Sequence, residues 1–335
     1  MNKLQRILSL TDKKLYKQHN HPICITKNVV YNHFKGWNTL ENFSPVTLVE
    51  RNFDNLLIPK NHPSRGSDQT YYIDSGKCLR THTTAESSDA IRNGYNRFLI
   101  CGDVYRKDSI DASHYPVFHQ IEGVSVVDKS ESDAVDELKQ TLSELMQSIF
   151  GDIPIRWSPD HFPFTSPSFE MEIKWRGKWM EVLGCGLLRP EILRKSGVDK
   201  QVQALAFGLG LERLAMILFD IPDIRLFWTN DPRFTSQFQA NQLTKFKPWS
   251  PYPAAKRDIS FRIDSNVWKE NIWYDLIREV CGDVVERVEK IDTWNDSRCF
   301  RIIFRSMTKS LTGSEIDTML DEIRNTSHGV IEWRS

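Results

Sequence analysis

The length and composition of the chain set the first limits on what it is. At 335 residues it is longer than one compact core usually holds, so we expect two domains, or one large domain with an appendage. A hydrophobic fraction of 40% and a charged fraction of 26% exclude a disordered or fibrous protein. The longest apolar runs, such as residues 214–219, fall far short of the roughly 20 residues that cross a bilayer, so we expect no membrane partner.

Charge and cysteine content limit which partners the protein can bind and which cellular compartment it can occupy. The 44 Lys and Arg residues balance 44 Asp and Glu residues, so contact with a nucleic acid requires a local basic patch. The six cysteines form no CxxC pair and no disulfide framework, which indicates reduced thiols. Basic residues dominate the first twenty positions, and this pattern fits either an organelle transit segment or a solvated basic helix.

The pattern of the first two thirds of the chain predicts an α+β domain. Apolar periodicity predicts three helices, over residues 21–36, 133–150 and 211–219. Short β-rich pieces bounded by Pro, Gly and Asn occupy residues 46–49, 71–73, 98–101, 103–105, 169–175 and 179–183. Gly177 supplies the residue that a hairpin turn between the last two pieces requires. We therefore expect a mostly antiparallel sheet with flanking helices.

Polar residues and prolines interrupt this pattern after residue 236. We divide the chain into a first domain (residues 1–236), a linker (237–247) and a second domain (248–335). In the second domain the predicted order is strand, helix, strand, strand, helix and strand, over residues 258–263, 272–281, 284–291, 299–305, 313–324 and 330–333. This βαββαβ order is that of a ferredoxin-like fold.

Separated motifs, rather than one signature, carry the chemistry. No Walker A, GxGxxG, HExxH or GxSxG motif occurs in the sequence. The groups that stand out are Asn52-Phe53-Asp54 with His62-Pro63-Ser64-Arg65, Leu79 through Thr84, Asp103 through Asp108 with His114 through Gly123, Phe162-Pro163-Phe164-Thr165, and Gly208 through Arg213. In this order the chain resembles the phenylalanyl-tRNA synthetases, specifically the single-chain organellar form of these class II aminoacyl-tRNA synthetases. The resemblance covers nearly the whole chain, and the second domain is similar to the family's anticodon-binding domain.

The resemblance implies a reaction and a location. It implies that the protein activates L-phenylalanine with ATP and transfers it to tRNA(Phe), as a monomer in the mitochondrial matrix, with a plastid as the open alternative. In such a reaction a carboxylate attacks the α-phosphorus of ATP, so negative charge develops on phosphoryl oxygens. Guanidinium groups suit that charge better than ammonium groups do.

The resemblance also assigns residues to ATP. Arg106 would hold the α-phosphate, while Arg213 would sandwich adenine against Phe118 and reach the γ-phosphate. The other residues assigned to ATP are Ser113, His114, Tyr115 and Glu181. Glu181 is also the best candidate ligand for Mg²⁺, although Ser166 stands where two-subunit relatives carry an acid, which leaves the metal ligands open.

A phenylalanine pocket follows from the same resemblance. Phe162 and Phe164 alternate along what we interpret as an extended segment, which predicts a shared face that clasps an aromatic ring edge to face. The small Ala206 and Phe207 would complete the pocket. An ordinary hydrophobic core is the competing interpretation of these aromatic residues.

The substrate ammonium group would bind polar residues beside that pocket. The resemblance assigns it to Gln120, Glu122, His82 and Thr84. Many relatives carry Ser-x-x-Gln after the Thr-His-Thr run, whereas this chain carries Thr84-Ala85-Glu86-Ser87. Because Ser87 is too short to replace Gln, we expect weaker amino-acid binding or compensation by Glu86.

Alternation in the second domain predicts a basic sheet surface. Ile259, Phe261 and Ile263 fall on one face of a strand, and Lys256 and Arg262 fall on the other. By the same pattern the residues assigned to tRNA are Lys256, Arg262, Arg301 and Arg305. We hypothesise that they contact the sugar-phosphate backbone of the anticodon stem, although a charged outer face is common in antiparallel sheets.

Two other functions remain open at this stage. A synthetase-like ligase would pass the activated amino acid to a protein or a small molecule, but an RNA-binding second domain argues against it. A non-catalytic RNA-binding relative would need no ATP site, but the presence of Arg106, Phe118 and Arg213 argues against that interpretation.

Overall fold

A computed structural model describes residues 3–107, 109–198, 201–247, 252–264, 268–327 and 331–333. The predicted domain boundary at residue 248 falls outside these residues, as do Asp108 of the motifs and the first residue of the predicted last strand, Val330. Among the described residues, no helix combines the length and apolarity that crossing a membrane requires.

The described residues form thirteen strands and ten α-helices. The strands are β1 (Asn38–Leu40), β2 (Val46–Leu48), β3 (Lys77–Leu79), β4 (Arg97–Tyr105), β5 (Val117–Val127), β6 (Ile155–Asp160), β7 (Thr165–Trp175), β8 (Lys178–Leu188), β9 (Gln203–Gly210), β10 (Ala255–Ile263), β11 (Val285–Trp294), β12 (Ser297–Phe304) and β13 (Ile331–Trp333). The helices are α1 (Lys3–Thr11), α2 (Pro22–His33), α3 (Val49–Asn52), α4 (Ser87–Arg92), α5 (Glu131–Phe150), α6 (Pro190–Lys195), α7 (Leu211–Phe219), α8 (Pro232–Thr235), α9 (Glu270–Cys281) and α10 (Gly313–Thr326).

A seven-stranded sheet organises the first part of the chain, in the order β1-β4-β5-β9-β8-β7-β6. Only β1 runs parallel to its neighbour within this described sheet, so the prediction of a mostly antiparallel sheet is confirmed. The two pieces predicted on either side of Gly102 form the single strand β4. The prediction of a strand at residues 71–73 is wrong, because the chain turns at once and only Tyr72 makes an isolated bridge, to Cys78.

Side-chain alternation along the central strand β5 separates two faces of the sheet. Val117 and Ile121 are buried in the main hydrophobic core together with residues of α2, α5 and α7. Because successive side chains of a strand point to opposite faces, Phe118, Gln120 and Glu122 face the other way, toward a cleft. The sheet thus rests on a helix layer on one face. On the opposite face, α4 and α6 cover one part through a second hydrophobic cluster, and another part lines the cleft.

The basic N-terminal segment forms α1, which packs on the rest of the fold. Ile7 is buried in the main core, and Leu8 and Leu10 pack against that core. Lys13, just after the helix, donates a hydrogen bond to the carbonyl oxygen of Trp228 at 2.5 Å. The segment is therefore an integrated helix rather than a fully solvated one.

The second part of the chain has its own sheet and its own core. The order of its strands is β11-β12-β10-β13, all antiparallel, with α9 and α10 packed on one face. Thr312 and Glu315 form a capping box that begins α10. The predicted ferredoxin-like fold is confirmed. One member of its hydrophobic cluster, Ile110, comes from the loop between β4 and β5.

Candidate active site

A cleft of about 620 Å³ lies on the open face of the large sheet. It brings together most of the residues predicted for ATP and phenylalanine, which are His82, Thr84, Arg106, Ser113, His114, Tyr115, Phe118, Gln120, Glu122, Phe162, Phe164, Glu181, Ala206, Phe207 and Arg213. Ala85, Glu86 and Ser87 are buried and do not line it. Sequence reasoning assigned no role to several polar residues of the lining, among them His62, Gln69 and His161.

Glycines on β8 and β9 make room at the floor of the cleft. A Cβ atom on Gly184 would lie 2.7 Å from Cζ of Phe162, and one on Gly208 would lie 3.0 Å from Nε2 of Gln120. Nothing lies within 4 Å of the Cβ position of Gly210. These strands therefore allow aromatic and polar groups to approach the backbone closely, as a ligand site requires.

The aromatic pocket is built by a turn, not by an extended segment. Residues 163–164 form a turn before β7, so the prediction of alternation along a strand is wrong. The rings of Phe162 and Phe164 nevertheless share a face, with centroids 5.8 Å apart and planes 10° from parallel. The ring of Phe207 lies on the helix side of the sheet, stacked on Phe34 at 5.2 Å. Ala206, its neighbour in β9, faces the cleft side.

Two buried acceptors in the cleft lack partners among the described residues. Glu122 is 2% exposed, and its Oε1 accepts a hydrogen bond from the hydroxyl of Ser87 at 2.5 Å, whereas Oε2 accepts none. Burial raises the pKa of Glu122 to about 7, although the nearby hydroxyls of Ser87, Thr84 and Thr83 oppose this.

The second acceptor is Nδ1 of His82. Burial, together with the charge of Arg106, lowers the pKa of His82 to about 3, so the ring is neutral at physiological pH. Its Nε2 contacts the carbonyl oxygen of Asn52 at 3.1 Å and must donate there. Nδ1 is therefore an acceptor, and it has no partner among the described residues.

Glu86 points away from the cleft and forms structural ion pairs. Its carboxylate lies 3.5 Å from the guanidinium of Arg80 and 3.6 Å from that of Arg51. Arg80 is 1% exposed and donates two hydrogen bonds to the carbonyl oxygen of Asp103. Because a buried guanidinium needs a counter-ion, Glu86 is committed to Arg80.

The opposite end of the cleft carries two arginines and one phenyl ring. The guanidinium carbon of Arg106 lies 5.2 Å from the ring centroid of Phe118, and its Nε donates to the carbonyl oxygen of Thr81 at 2.9 Å. Arg213, in the first turn of α7, donates to the carbonyl oxygen of Glu181 at 2.8 Å and lies 3.4 Å from its carboxylate. The three predicted groups thus converge from the end of β4, from β5 and from α7.

Behind Phe118 and Arg213 lies a buried network of charged side chains that sequence reasoning missed. His119 donates from Nδ1 to Glu212 at 2.6 Å and from its backbone N–H to the same carboxylate at 2.8 Å. Its Nε2 lies 3.2 Å from Asp103. Burial disfavours the charged ring, but Glu212 and Asp103 outweigh it and raise the pKa of His119 to about 9. Since His119 follows Phe118 and Glu212 precedes Arg213, the pair holds β5 against α7 and orients both cleft residues.

The loop before β5 divides its side chains between the cleft and the second domain. His114 and Ser113 both bond to Asp111, at 2.6 and 2.7 Å. Tyr115 is stacked on Trp228 at 5.2 Å, and its hydroxyl donates to Asp283 of the second domain at 3.0 Å. The hydroxyl of Tyr115 is therefore engaged outside the nucleotide end of the cleft.

The carboxylates near the cleft do not form a metal cage. Within the described part of the chain, no group of three or more His, Cys, Asp or Glu side chains is placed to hold a metal ion. Burial and the neighbouring charges of Glu181 and Asp160 raise the pKa of Glu170 to about 7. Glu181 itself stays at the cleft rim beside Arg213.

The outer face of the second sheet is less basic than its sequence suggests. Arg301 is paired with Asp258 by two hydrogen bonds of 2.7 Å, and Arg305 is paired with Glu286. Both Arg262 and Trp294 lie opposite Ser297 in the sheet, so all three share one face. Trp294 is 72% exposed, and sequence reasoning missed it.

Comparison with known proteins agrees with this geometry. Residues 8–238 match the family model described as tRNA synthetases class II core domain (F), and residues 250–331 match the ferredoxin-fold anticodon binding domain. A solved pyrrolysyl-tRNA synthetase from Desulfitobacterium hafniense shares the fold, with a TM-score of 0.52 and 14% identity over 72% of this chain and 81% of that chain.

Relatives at higher identity are similar over nearly the whole chain. The chloroplastic/mitochondrial phenylalanine-tRNA ligase of Arabidopsis thaliana is 45% identical, over 95% of this chain and 79% of that protein. The mitochondrial phenylalanine-tRNA ligase of Mus musculus is 40% identical, over 97% of this chain and 84% of that protein. The chain therefore belongs to the phenylalanine-tRNA ligase family of class II tRNA synthetases.

Proposed function

We propose that this protein activates L-phenylalanine with ATP to phenylalanyl adenylate and transfers the phenylalanyl group to tRNA(Phe). The observation that carries the proposal is the pair of unpartnered acceptors, Glu122 Oε2 and His82 Nδ1, in a cleft that also holds Phe162 and Phe164. An α-ammonium group supplies the donors that these acceptors lack. No observation favours a non-tRNA acceptor or a non-catalytic role.

The amino-acid end of the cleft selects its substrate by shape and by charge. Phe162, Phe164 and Ala206 enclose the substrate ring, while Glu122 and His82 bind its ammonium group. Gln120, whose Oε1 accepts from the N–H of Thr83 at 3.2 Å, presents its Nε2 over Gly208 and binds the carboxyl end. Thr84 lines the same end, and Ser87 orients Glu122 from behind. We leave Glu86 and the Phe207 ring out of this site because their partners lie elsewhere.

The nucleotide end stabilises the charge of the reaction. A carboxylate oxygen of phenylalanine bonds to the α-phosphorus, the bond from that phosphorus to the bridging oxygen breaks, and pyrophosphate leaves with the electron pair. Arg106 stabilises the α-phosphoryl oxygens, and Arg213 stabilises the leaving phosphates. Adenine stacks between Phe118 and Arg213 over the open space at Gly210, while His114 contacts the outer phosphates.

ATP is used with Mg²⁺ in this proposal. Mg²⁺ typically keeps several waters and is held by one or two carboxylates plus substrate phosphates. One carboxylate at the cleft rim, that of Glu181, fits this donor set, and a three-residue cage is not needed. Bound Mg²⁺ neutralises phosphate charge.

We also propose the domain division and the setting of the reaction. Residues 1–236 form the catalytic domain, 237–247 the linker and 248–335 the anticodon-binding domain. The protein acts as a monomer in the mitochondrial matrix, with a plastid as the alternative location, since the relative from Arabidopsis thaliana is chloroplastic/mitochondrial.

Contact with tRNA centres on Arg262 and Trp294 rather than on every predicted arginine. Arg262 neutralises a phosphate, and the exposed ring of Trp294 stacks on a base. Lys256 lies on the same face, whereas Arg301 and Arg305 must first leave Asp258 and Glu286. Replacing Arg262 by Ala should raise KM for tRNA and reduce its salt dependence, while Arg301→Ala should have the smaller effect. Equal effects of the two variants would contradict this ranking.

Pyrophosphate exchange tests the proposal as a whole. The purified protein should exchange label between pyrophosphate and ATP with phenylalanine present, and not without an amino acid. Charging of tRNA(Phe) should follow when tRNA is added. Exchange without tRNA charging would favour a ligase with another acceptor, and no exchange would favour a non-catalytic relative.

A further inference from the structure

The loop between β4 and β5, residues 106–116, carries part of the nucleotide end of the cleft. We call it the ATP loop, because Arg106 and His114 belong to it. The pairing described inside it is one isolated bridge, between Asp111 and His114. The first domain also contacts the loop. The N–H of Ile224 donates to the carbonyl oxygen of Ala112 at 2.8 Å, Nζ of Lys107 donates to the carbonyl oxygen of Ser67 at 2.7 Å, and Tyr115 stacks on Trp228.

One face of α9 in the second domain holds the first half of this loop. Asn271 donates to the carbonyl oxygen of Lys107 at 2.9 Å, and Asp275 lies 3.3 Å from the ammonium group of Lys107. Arg278 donates to the carbonyl oxygen of Ser109. The spacing of these three residues, four and then three apart, places them on a single side of the helix.

An apolar anchor and a second polar contact complete the attachment. Ile110 is 5% exposed and belongs to the hydrophobic cluster of the second domain, not to that of the first. Its carbonyl oxygen accepts from the N–H of Val288 at 3.0 Å. At the far end of the loop, Tyr115 donates to Asp283. The second domain therefore contacts the ATP loop on both sides of His114.

We propose that the second domain positions the ATP loop for adenylate formation, in addition to binding tRNA. The inference rests on the proposed function, since it assigns the loop to ATP. A loop that is already ordered loses less conformational entropy when ATP binds, so contacts that hold it lower the KM for ATP. Asn271, Asp275 and Arg278 are positioning residues in this account, because they act through the loop and do not touch the nucleotide.

Asp275→Ala and Asn271→Ala test the proposal in pyrophosphate exchange without tRNA. Asp275→Ala should raise KM for ATP on the order of tenfold, with kcat and KM for phenylalanine near those of the wild type. Asn271→Ala, which removes one neutral hydrogen bond, should raise it less. Asp275→Asn keeps the acceptor for the hydroxyl of Tyr71 and removes only the charge that faces Lys107, so it should raise KM for ATP less than Asp275→Ala does. Amide hydrogen exchange of residues 107–115 should be faster in both alanine variants.

Asp321→Ala is the matched control, because it removes an exposed carboxylate from α10 of the same domain. It should leave KM for ATP and loop exchange unchanged. The proposal is overturned if folded Asp275→Ala and Asn271→Ala proteins keep wild-type KM for ATP and wild-type loop exchange, or if only KM for tRNA rises. A wild-type protein with no phenylalanine-dependent exchange would refute the proposed function instead, and loop hydrogen exchange would still decide whether α9 orders the loop.

Discussion

Replacing Glu122 by Gln should weaken phenylalanine binding and stabilise the protein at the same time. Glu122 is buried, and its carboxylate binds the substrate ammonium group in the proposed function. A hydrogen bond to a charged group contributes about 1.5–3 kcal/mol, so KM for phenylalanine should rise on the order of 10- to 100-fold. KM for ATP should stay near wild type, because Phe118 lies roughly 13 Å away along β5.

The stability effect follows from the pKa. Folding raises the pKa of Glu122 from 4.5 to about 7, which corresponds to about 3 kcal/mol against the ionised form. The contribution of a carboxyl with a raised pKa is fully present below pH 4.5 and is lost as the pH rises to about 7. Gln does not titrate, so Glu122→Gln should melt at a higher temperature at about pH 8, and the advantage should shrink steadily toward about pH 5.

Two assays check the prediction. Pyrophosphate exchange measures KM for phenylalanine and for ATP, and thermal unfolding across the pH range measures stability without substrate. Glu86→Gln is the comparison, because Glu86 is also a buried carboxylate but is paired with Arg80; it should leave KM for phenylalanine near wild type. An unchanged KM for phenylalanine in Glu122→Gln would refute the ammonium role, and a stability gain that persists at about pH 5 would refute the pKa argument.

Three further predictions concern the pocket and its support. Gly184→Ala places a methyl group 2.7 Å from Phe162 and should raise KM for phenylalanine roughly tenfold in pyrophosphate exchange; no change would mean that this ring is not part of the pocket. His119→Asn leaves Glu212 buried without its cation and should lower the free energy of unfolding by about 3–5 kcal/mol, and an unchanged urea midpoint would contradict the ion pair. An apolar pocket rejects an added hydroxyl by only about 100-fold, so kcat/KM for phenylalanine should exceed that for tyrosine by about this factor; a ratio above about 10,000 would indicate a polar group that excludes the hydroxyl.

Local patterns in the sequence determined the elements and the order of the domains. The apolar helix after Gly210 begins and ends where periodicity predicts, at Leu211 and Phe219. The hairpin at Gly177 forms as predicted, with Arg176 and Gly177 both at positive φ, which the turn between β7 and β8 requires. These features depend on residues that are close together in the chain, so residue spacing predicts them directly.

The motifs also identified a site, because most of the residues they contain line one cleft. They did not reveal the direction of individual side chains. Alternation along β9 separates Ala206 from Phe207, but it does not say which face holds the helices. Packing against Phe34 decided that the ring of Phe207 joins the core on the helix side of the sheet, although the residue also borders the cleft.

Only the tertiary structure decided which charges are available to a ligand. Glu86 is committed to Arg80, Arg301 to Asp258, and Tyr115 to a carboxylate of the other domain. The counter-ion of a buried charge comes from any part of the chain that folding brings within a few ångströms. Local residue spacing therefore cannot predict it. The same reason hid the His119 and Glu212 pair, whose members lie in two motifs that were both recognised but are joined only in space.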